Sequence, residues 1–521
     1  MNLFGKTWQI ALGSIIIAEF LSLCGYATPW INTLGFFVIV FLVLAASIYK
    51  LEWGFLAVIT ELLIGSKGYL FYFDFNEKTI SIRIALWLIV MLVWFAQTVI
   101  NAIKLKKIPI TFLKSSYFSY FLIFFFTIIF ALINGQVHHN SLSNIFFDFN
   151  GWLYLALIFP AYDLLVAKKE NIVPDLLQIF LAAIIWIVFK SLVLVFLFSH
   201  DIGDLIFVIY RWIRTTGVGE ITLIQGGFYR IFFQSHIYLL IAFLFFLITL
   251  TKDSLLEKIK IKNFNKKQIF LVFYLIFTAI FSINLINFSR SNWLGLAATT
   301  FLLISVIFVS KNWQQLFRFF WILSSSAILS ALFIILIVNF PLFNPIGGFN
   351  TAELLSKRAA TFSNEAGVSS RWSLLPPLWQ KITEKPLLGK GFGSTVTYKT
   401  SDPRILENNP SGLYTTYAFE WGWLDIWLKL GFVGLLVYVI LLLKIYFIDV
   451  CQIIKTNLKK TADLFNDINS AAVVGLSLGM IALMIVSIFS PYLNHPLGFG
   501  YLVISACVIE KIKSSGKDID L

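Results

Sequence analysis

The most regular feature of the chain is a series of apolar segments, each about 20 residues long, that are hydrophobic on every side. The segment "FLAAIIWIVFKSLVLVFLF" at 180–198 shows neither the alternation of a half-buried strand nor the single apolar stripe of a surface helix. Segments of this length and character are typical of transmembrane helices. About 14 of them can be marked, at 7–26, 30–49, 52–70, 82–101, 117–135, 151–167, 177–199, 232–251, 268–287, 292–310, 317–339, 423–447, 470–488 and 495–511. The pattern predicts an all-α, polytopic transmembrane bundle of about 12–14 spans.

The polar gaps between these segments differ in charge, and the difference predicts the topology. Four strongly basic gaps fall on alternate positions along the chain, at 101–116, 167–171, 251–267 and 455–465, and the basic tail after the last span falls on the same side. Lysine and arginine are enriched in short cytoplasmic loops. We therefore expect both termini to be cytoplasmic. The opposite, extracytoplasmic side then receives one large loop of about 80 residues, 340–421.

Composition supports a membrane protein and narrows its partners. The chain of 521 residues is 59% hydrophobic and only 13% charged, whereas a soluble domain has about 25% charged residues. The net charge of +13 comes largely from lysines in the short loops, which set topology and meet anionic lipid, so we expect membrane lipids and no nucleic acid as partners. The three cysteines are isolated and give neither a disulfide framework nor a metal-binding spacing. The first apolar segment is similar to a signal peptide, but the many later spans favour an uncleaved first helix.

Several arginines lie on the predicted outer side, against the usual enrichment of basic residues in cytoplasmic loops. Arg290 occupies the short gap between two spans in "INFSRSNWLG", and Arg230 immediately precedes another span, both on the predicted outer side. Arginine presents a planar fork of donors that can bind a phosphate through two parallel hydrogen bonds. A lipid-borne pyrophosphate is the anion that best fits several arginines at the outer membrane surface. The alternative is that single arginines anchor to lipid headgroups or pair with nearby carboxylates.

Four segments around these arginines resemble the bacterial O-antigen ligase and O-antigen polymerase family. "NFSRSNWLGLAATTFLLISV" resembles the S-R-[ST]-x-W-x-G segment of that family, and "GGFYRIFFQSHIYLLIAF" resembles its arginine before a span. "SSRWSLLPPLWQKITEKPLLGKGFGS" is similar to the R…W…P-L-x-G-x-G-x-G part of the large loop, and "EWGWLDIWLKLGFVGLL" is similar to the loop exit, which ends in G-x-x-G. The four segments follow the order of the family, between about residues 200 and 500.

The resemblance implies roles for individual residues. Arg230 and Arg290 match the pyrophosphate-binding arginines of the family, and Arg371 is a loop arginine near the same site. The family usually places a histidine before the G-x-x-G span, whereas Glu420 stands at that position here. We expect Glu420 to be either the general base or the partner of an arginine. Further candidates are His236 and His495 as alternative bases, Arg358 as another loop arginine, and Tyr414 as part of a sugar path.

The sequence thus predicts a membrane glycosyltransferase of the O-antigen polymerase or ligase type, with a slight preference for polymerase. It would transfer glycan from an undecaprenyl-pyrophosphate-linked oligosaccharide to a hydroxyl of a glycan or lipid acceptor, without a metal or other cofactor, at the outer face of the bacterial inner membrane. Other polysaccharide-assembly proteins are expected partners. The alternatives are a lipid-linked glycan flippase and a purely structural assembly partner. The expected regions are N-terminal helices (1–199), an O-antigen-ligase-like core (200–339), the large loop (340–421) and C-terminal helices with a short tail (422–521).

Overall fold

The computed structural model shows a bundle of helices with three short β-hairpins. It describes residues 2–76, 78–168, 171–223, 229–261, 263–310, 312–343, 345, 366–400, 403–458, 465 and 467–515. The candidate residue Arg358 lies outside these ranges. The helices are α1 Lys6–Ala27, α2 Pro29–Tyr49, α3 Leu51–Ile64, α4 Ile82–Leu105, α5 Phe118–Val137, α6 Leu142–Asn150, α7 Ile158–Tyr162, α8 Val173–Ser199, α9 Leu205–Thr215, α10 His236–Thr251, α11 Asp253–Glu257, α12 Lys266–Ile286, α13 Arg290–Val309, α14 Trp313–Val338, α15 Ala366–Thr383, α16 Pro403–Asn408, α17 Gly422–Leu443, α18 Val450–Leu458, α19 Ile468–Val486 and α20 Pro496–Ser515.

Short irregular helices and hairpins connect these elements. Two 3-10 helices cover Thr111–Lys114 and Gly151–Leu157, and π-helical turns cover Asp163–Ala167 and Lys444–Asp449. The strands are β1 Tyr72–Phe75, β2 Lys78–Ser81, β3 Glu220–Leu223, β4 Tyr229–Phe232, β5 Val396–Lys399 and β6 Leu413–Thr416. They pair as three antiparallel hairpins, β1 with β2, β3 with β4, and β5 with β6.

The predicted fold class is confirmed. Within the described residues, 11 helical stretches are long and apolar enough to cross a membrane, including the composite stretches Leu142–Ala167 and Gly422–Asn457. The other three predicted spans coincide with α3, α10 and α20. The chain is therefore a multi-pass membrane protein. The third predicted span, 52–70, is too long at its end, because α3 stops at Ile64 and Ser66 takes a left-handed conformation with φ 50°.

Two of the basic gaps contact the last helix, α20. Lys511 donates to Asn171 over 2.9 Å, Glu510 accepts from the backbone N–H of Ser116 over 2.7 Å, and Lys513 pairs with Asp449 at 3.0 Å. These contacts gather the 101–116 and 167–171 gaps with the end of α20. The gaps that carry Arg230, Arg290 and Arg371 meet at a separate cavity.

Charged side chains also occur inside the spans, and they form ion pairs between helices that the sequence did not predict. Glu19 of α1 and Lys190 of α8 pair at 2.6 Å, and Glu61 of α3 pairs with Arg83 at 2.8 Å, with all four side chains buried. Ionisable groups in a membrane are costly unless they are paired. Each pair neutralises its own charge, and each joins two helices.

A glycine-rich turn fills a break in α17. Gly431, inside this helix, has φ 72°, which interrupts its hydrogen bonding. The backbone N–H groups of Lys390 and Gly391 donate to the carbonyls of Leu428 and Lys429 over 2.7 and 3.1 Å. The N–H of Phe432 in turn donates to the Pro386 carbonyl over 2.9 Å. Backbone groups at a break in a membrane helix need such partners, so the turn stabilises the break and fixes the base of the large loop.

Candidate active site

Three arginines predicted from the sequence line one cavity of about 270 Å³. Five separate parts of the chain form its wall: the β3–β4 hairpin, the turn before α13, helix α15, Glu420 just before α17, and the loop before α20. The lining residues are Glu220, Arg230, Phe232, Gln234, Phe288, Ser289, Arg290, Ser291, Arg371, Glu420, Phe489, Ser490, Pro491, Tyr492 and His495. Residues that are about 200 positions apart in the chain are thus brought to one site.

Arg290 lies at the first turn of α13. Phe288 adopts φ 47°, which ends the preceding helix and reverses the chain. Ser289 is the N-cap of α13, and its hydroxyl accepts from the Asn292 N–H over 3.5 Å. The N-terminus of a long helix carries a partial positive charge and favours anions. Arg290 and this helix end therefore present positive charge to the same cavity.

Arg230 comes from strand β4 and is anchored to the Arg290 turn. Its Nε donates to the carbonyl of Asn287 over 2.8 Å, and its guanidinium lies 4.8 Å from the ring centre of Phe232. These two contacts fix the plane of the guanidinium group. Burial lowers the pKa of Arg230, the nearby Glu220 opposes that effect, and the charges of Arg371 and Arg290 reinforce it. The mutual repulsion of three cations in a partly buried cavity indicates that an anion would be favoured there.

Arg371 projects from α15 and forms an ion pair with Glu420, with the guanidinium Nε donating to a carboxylate oxygen. The backbone of Arg371 is also held in place, because the indole N–H of Trp421 donates to the Arg371 carbonyl over 3.0 Å. Trp421 also contacts Trp372 and Phe489, with ring centres 5.5 and 5.3 Å apart. The loop helix is thereby docked on the start of α17. Glu420 thus lies in the cavity and adopts the arginine pairing that sequence analysis offered as one of its two roles.

The alternative bases lie in different environments. His236 is fully buried, shares a 3.1 Å hydrogen bond with Ser191, and does not line the cavity. His495 does line it, and burial together with Arg83 and Lys67 lowers its pKa to about 3. Its Nδ1 accepts from the Leu497 N–H over 3.4 Å. An imidazole with such a pKa is a poor match for proton transfer at neutral pH.

Tyr414 lies away from the arginines. It is on strand β6, opposite Tyr398, and the two rings meet edge to face at 6.0 Å. It is not among the residues that line the cavity. In the part of the chain that the structure describes, no group of three or more His, Cys, Asp or Glu side chains could hold a metal ion.

Sequence reasoning missed Glu220, Tyr492 and Ser490. Tyr492 is buried, and its hydroxyl donates to the Gln234 carbonyl over 3.1 Å, which joins the last outer loop to the β3–β4 hairpin. Ser490 lies 3.4 Å from the hydroxyl of Ser291. A usable signal existed only for Glu220, since "EITL" and "YRIF" could have been recognised as a hairpin that places Glu220 on the same strand face as Arg230.

Comparison with known proteins relates a central segment of the chain to a known family. Searches among curated proteins and among solved structures found no significant match. The family model described as O-antigen ligase matches residues 273–439. The matched segment begins in α12 and ends in α17, and it includes Arg290, Arg371 and Glu420. This segment of the chain is similar to the O-antigen ligase family, in agreement with the resemblance that its sequence motifs show.

Proposed function

We propose that the protein is a membrane glycosyltransferase that transfers or polymerises glycan from an undecaprenyl-pyrophosphate donor onto an acceptor hydroxyl. The observation that carries the proposal is the convergence of Arg230, Arg290 and Arg371 on one cavity, beside the N-terminus of α13. The match to the O-antigen ligase model supports a glycosyltransferase-like activity, and the three arginines of the cavity support a pyrophosphate-linked donor. A pyrophosphate supplies the negative charge that these cations require.

The chemistry follows from the charges. The oxygen of the acceptor hydroxyl forms a bond to the anomeric carbon, and the bond from that carbon to the pyrophosphate oxygen breaks. The electron pair leaves with the lipid pyrophosphate, and the hydroxyl proton passes to a carboxylate of the site. Guanidinium groups of Arg230 and Arg290 would stabilise the charge that develops on the leaving oxygen, as fixed donors do in other transfer reactions. In this proposal arginine supplies the cationic role, and no metal is required.

The proposed orientation places the cavity on the extracytoplasmic side of the bacterial inner membrane. The basic gaps at the end of α20 would then be cytoplasmic, in agreement with the usual charge bias. The acceptor would be a growing glycan chain or a lipid. We favour polymerisation, because nothing in the large loop marks a lipid-core or protein acceptor.

The proposal is tested with purified protein in lipid vesicles, supplied with lipid-linked oligosaccharide and no nucleotide. We expect chain growth together with release of lipid pyrophosphate. Arg290→Ala should reduce turnover by about 10²-fold or more, the usual loss for one stabilising donor, and Arg290→Lys should restore only part of it because lysine lacks the bidentate fork. Arg211→Ala is the matched control, since Arg211 is exposed on α9 and does not line the cavity. Undiminished turnover of folded Arg290→Ala would refute the site.

A lipid-linked glycan flippase is the second candidate. The buried pairs Glu19–Lys190 and Glu61–Arg83 favour it, because ionisable residues within spans are typical of transport pathways. The same vesicles separate the two functions. A flippase moves intact donor across the bilayer, whereas a transferase releases lipid pyrophosphate and lengthens the glycan.

A further inference from the structure

The cavity contains two carboxylates with different surroundings. Glu420 is paired with Arg371, so its charge is balanced and its position is fixed. Glu220 forms no ion pair with any residue that the structure describes, and it is half-buried in the cavity wall. A general base must lie within hydrogen-bond reach of the proton that it accepts, and a carboxylate in an ion pair is a weaker base than an unpaired one, because the cation stabilises its ionised form. Glu220 fits this role better than Glu420.

The register of the β3–β4 hairpin sets the position of Glu220. Glu220 is paired with Phe232, and Thr222 is paired with Arg230. Glu220 and Arg230 are therefore diagonal neighbours on one face of the hairpin, where side chains lie within about 8 Å. Their charges are close enough that Glu220 raises the pKa of Arg230 against the effect of burial. The Glu220 carboxylate thus lies near Arg230, the proposed pyrophosphate-binding arginine, without forming an ion pair with it.

Other charged and titratable groups surround Glu220 in the cavity. Arg230 faces it from β4, where the uncharged Phe232 is its direct partner, and Tyr492 faces it from the loop before α20, where burial and Glu220 raise the tyrosine pKa. Arg290, Arg371, Glu420 and His495 complete the charged or titratable lining of the cavity.

On the basis of the proposed function, we propose that Glu220 is the proton acceptor of the transfer reaction, and that Glu420 is a positioning residue that holds Arg371. As the acceptor oxygen bonds to the anomeric carbon and the pyrophosphate oxygen departs with its electron pair, the hydroxyl proton moves to the Glu220 carboxylate. The proton is lost to solvent after the products leave. This assignment removes the need for a histidine at the position of Glu420.

The test compares Glu220→Gln, Glu220→Asp and Glu420→Gln in the vesicle assay. Loss of a general base costs about 10²–10⁴-fold, so Glu220→Gln should lower kcat by about 10²-fold or more. Its residual rate should no longer fall as acid protonates the carboxylate, and its KM for the donor should change little. Glu220→Asp should keep the acid limb of the pH profile at a reduced rate. Glu420→Gln should chiefly raise KM, because Arg371 loses its partner, and should keep the acid limb.

The possible outcomes separate a failure of the role proposed for Glu220 from a failure of the proposed transferase function. Glu384→Gln is the matched control, since Glu384 pairs with Lys390 outside the cavity. A Glu220→Gln protein with the kcat and pH profile of the unaltered protein would overturn the assignment of Glu220, as would an acid limb lost only in Glu420→Gln. Failure of the unaltered protein to release lipid pyrophosphate would instead refute the proposed function. If Glu220→Gln does not fold, the Glu220→Asp pH profile decides, and absence of its acid limb counts against the proposal.

Discussion

At the scale of single residues, the arginines of the cavity are anchored by contacts that use only some of their hydrogen-bond donors, so the remaining donors can bind an anion. Arg230 uses its Nε on the Asn287 carbonyl, and Arg371 uses its Nε on Glu420. Each guanidinium has five donors, so these anchors consume only a small part of its capacity. Anchoring a side chain in advance reduces the entropy that binding would otherwise cost. The site is consequently preorganised for a charged ligand.

His495 gives a prediction about pH and stability. In the folded protein burial holds its pKa at about 3, whereas an unfolded chain protonates histidine near 6.5. Above about pH 6.5 the imidazole is neutral in both states and has no effect on the free energy of unfolding. As the pH falls below that value, only the unfolded chain gains the proton, and stability is lost by up to about 1.4 kcal/mol per pH unit.

We therefore expect His495→Gln to lose less stability than the unaltered protein between pH 7.5 and 5.5, by roughly 1 kcal/mol. Thermal unfolding in detergent at the two pH values measures the difference. His139→Gln is the control, because His139 is exposed. An identical acid loss in His495→Gln and the unaltered protein would show that the imidazole is protonated in the folded state.

At the scale of elements, the break in α17 and the glycine-rich turn depend on each other. A Cβ atom added to Gly431 would lie 2.2 Å from the Leu387 carbonyl oxygen, and the φ of 72° is itself unfavourable for other residues. The turn before β5 can approach so closely only because no side chain intervenes. Two motifs that are about 40 residues apart, P-L-x-G-x-G-x-G and G-x-x-G, are thus two sides of one contact.

Gly431→Ala should destabilise the protein by at least about 1–2 kcal/mol from backbone strain alone, with the steric clash adding to it. We expect a lower unfolding temperature and reduced transfer activity, since the base of the large loop would shift. Gly13→Ala is the control, because no atom lies within 4 Å of the added methyl group in α1, and alanine is the better helix former. Equal unfolding temperatures for the two variants would contradict the proposed dependence of α17 on the turn.

The sequence predicted the helices well and the cavity only in part, for physical reasons. Apolar segments of about 20 residues, such as 180–198, are long enough to cross a membrane as helices, so hydropathy located them. Arg230 and Arg290 stood out because each abuts a span. Glu220 did not, because its place beside Arg230 depends on the register of the β3–β4 hairpin, and the pattern of "EITL" and "YRIF" is only a weak signal of that register. The pairs Glu19–Lys190 and Glu61–Arg83 were also missed, because a single charge in an apolar run does not reveal which helix carries its partner.

At the scale of the whole molecule, the separation of lysine-rich and arginine-rich ends gives the last prediction. Lys260 is exposed in the basic gap after α11, and Ser411 is exposed in the large loop, so cysteines placed there report on opposite ends. In a background without the three native cysteines, Ser411→Cys should react with a membrane-impermeant maleimide applied outside the inner membrane. Lys260→Cys should react only after the membrane is permeabilised, because short basic loops remain cytoplasmic. The reverse pattern would place the arginine cavity in the cytoplasm, where the donor glycan of a polymerase would not be presented, and would thereby count against the proposed function as well as the topology.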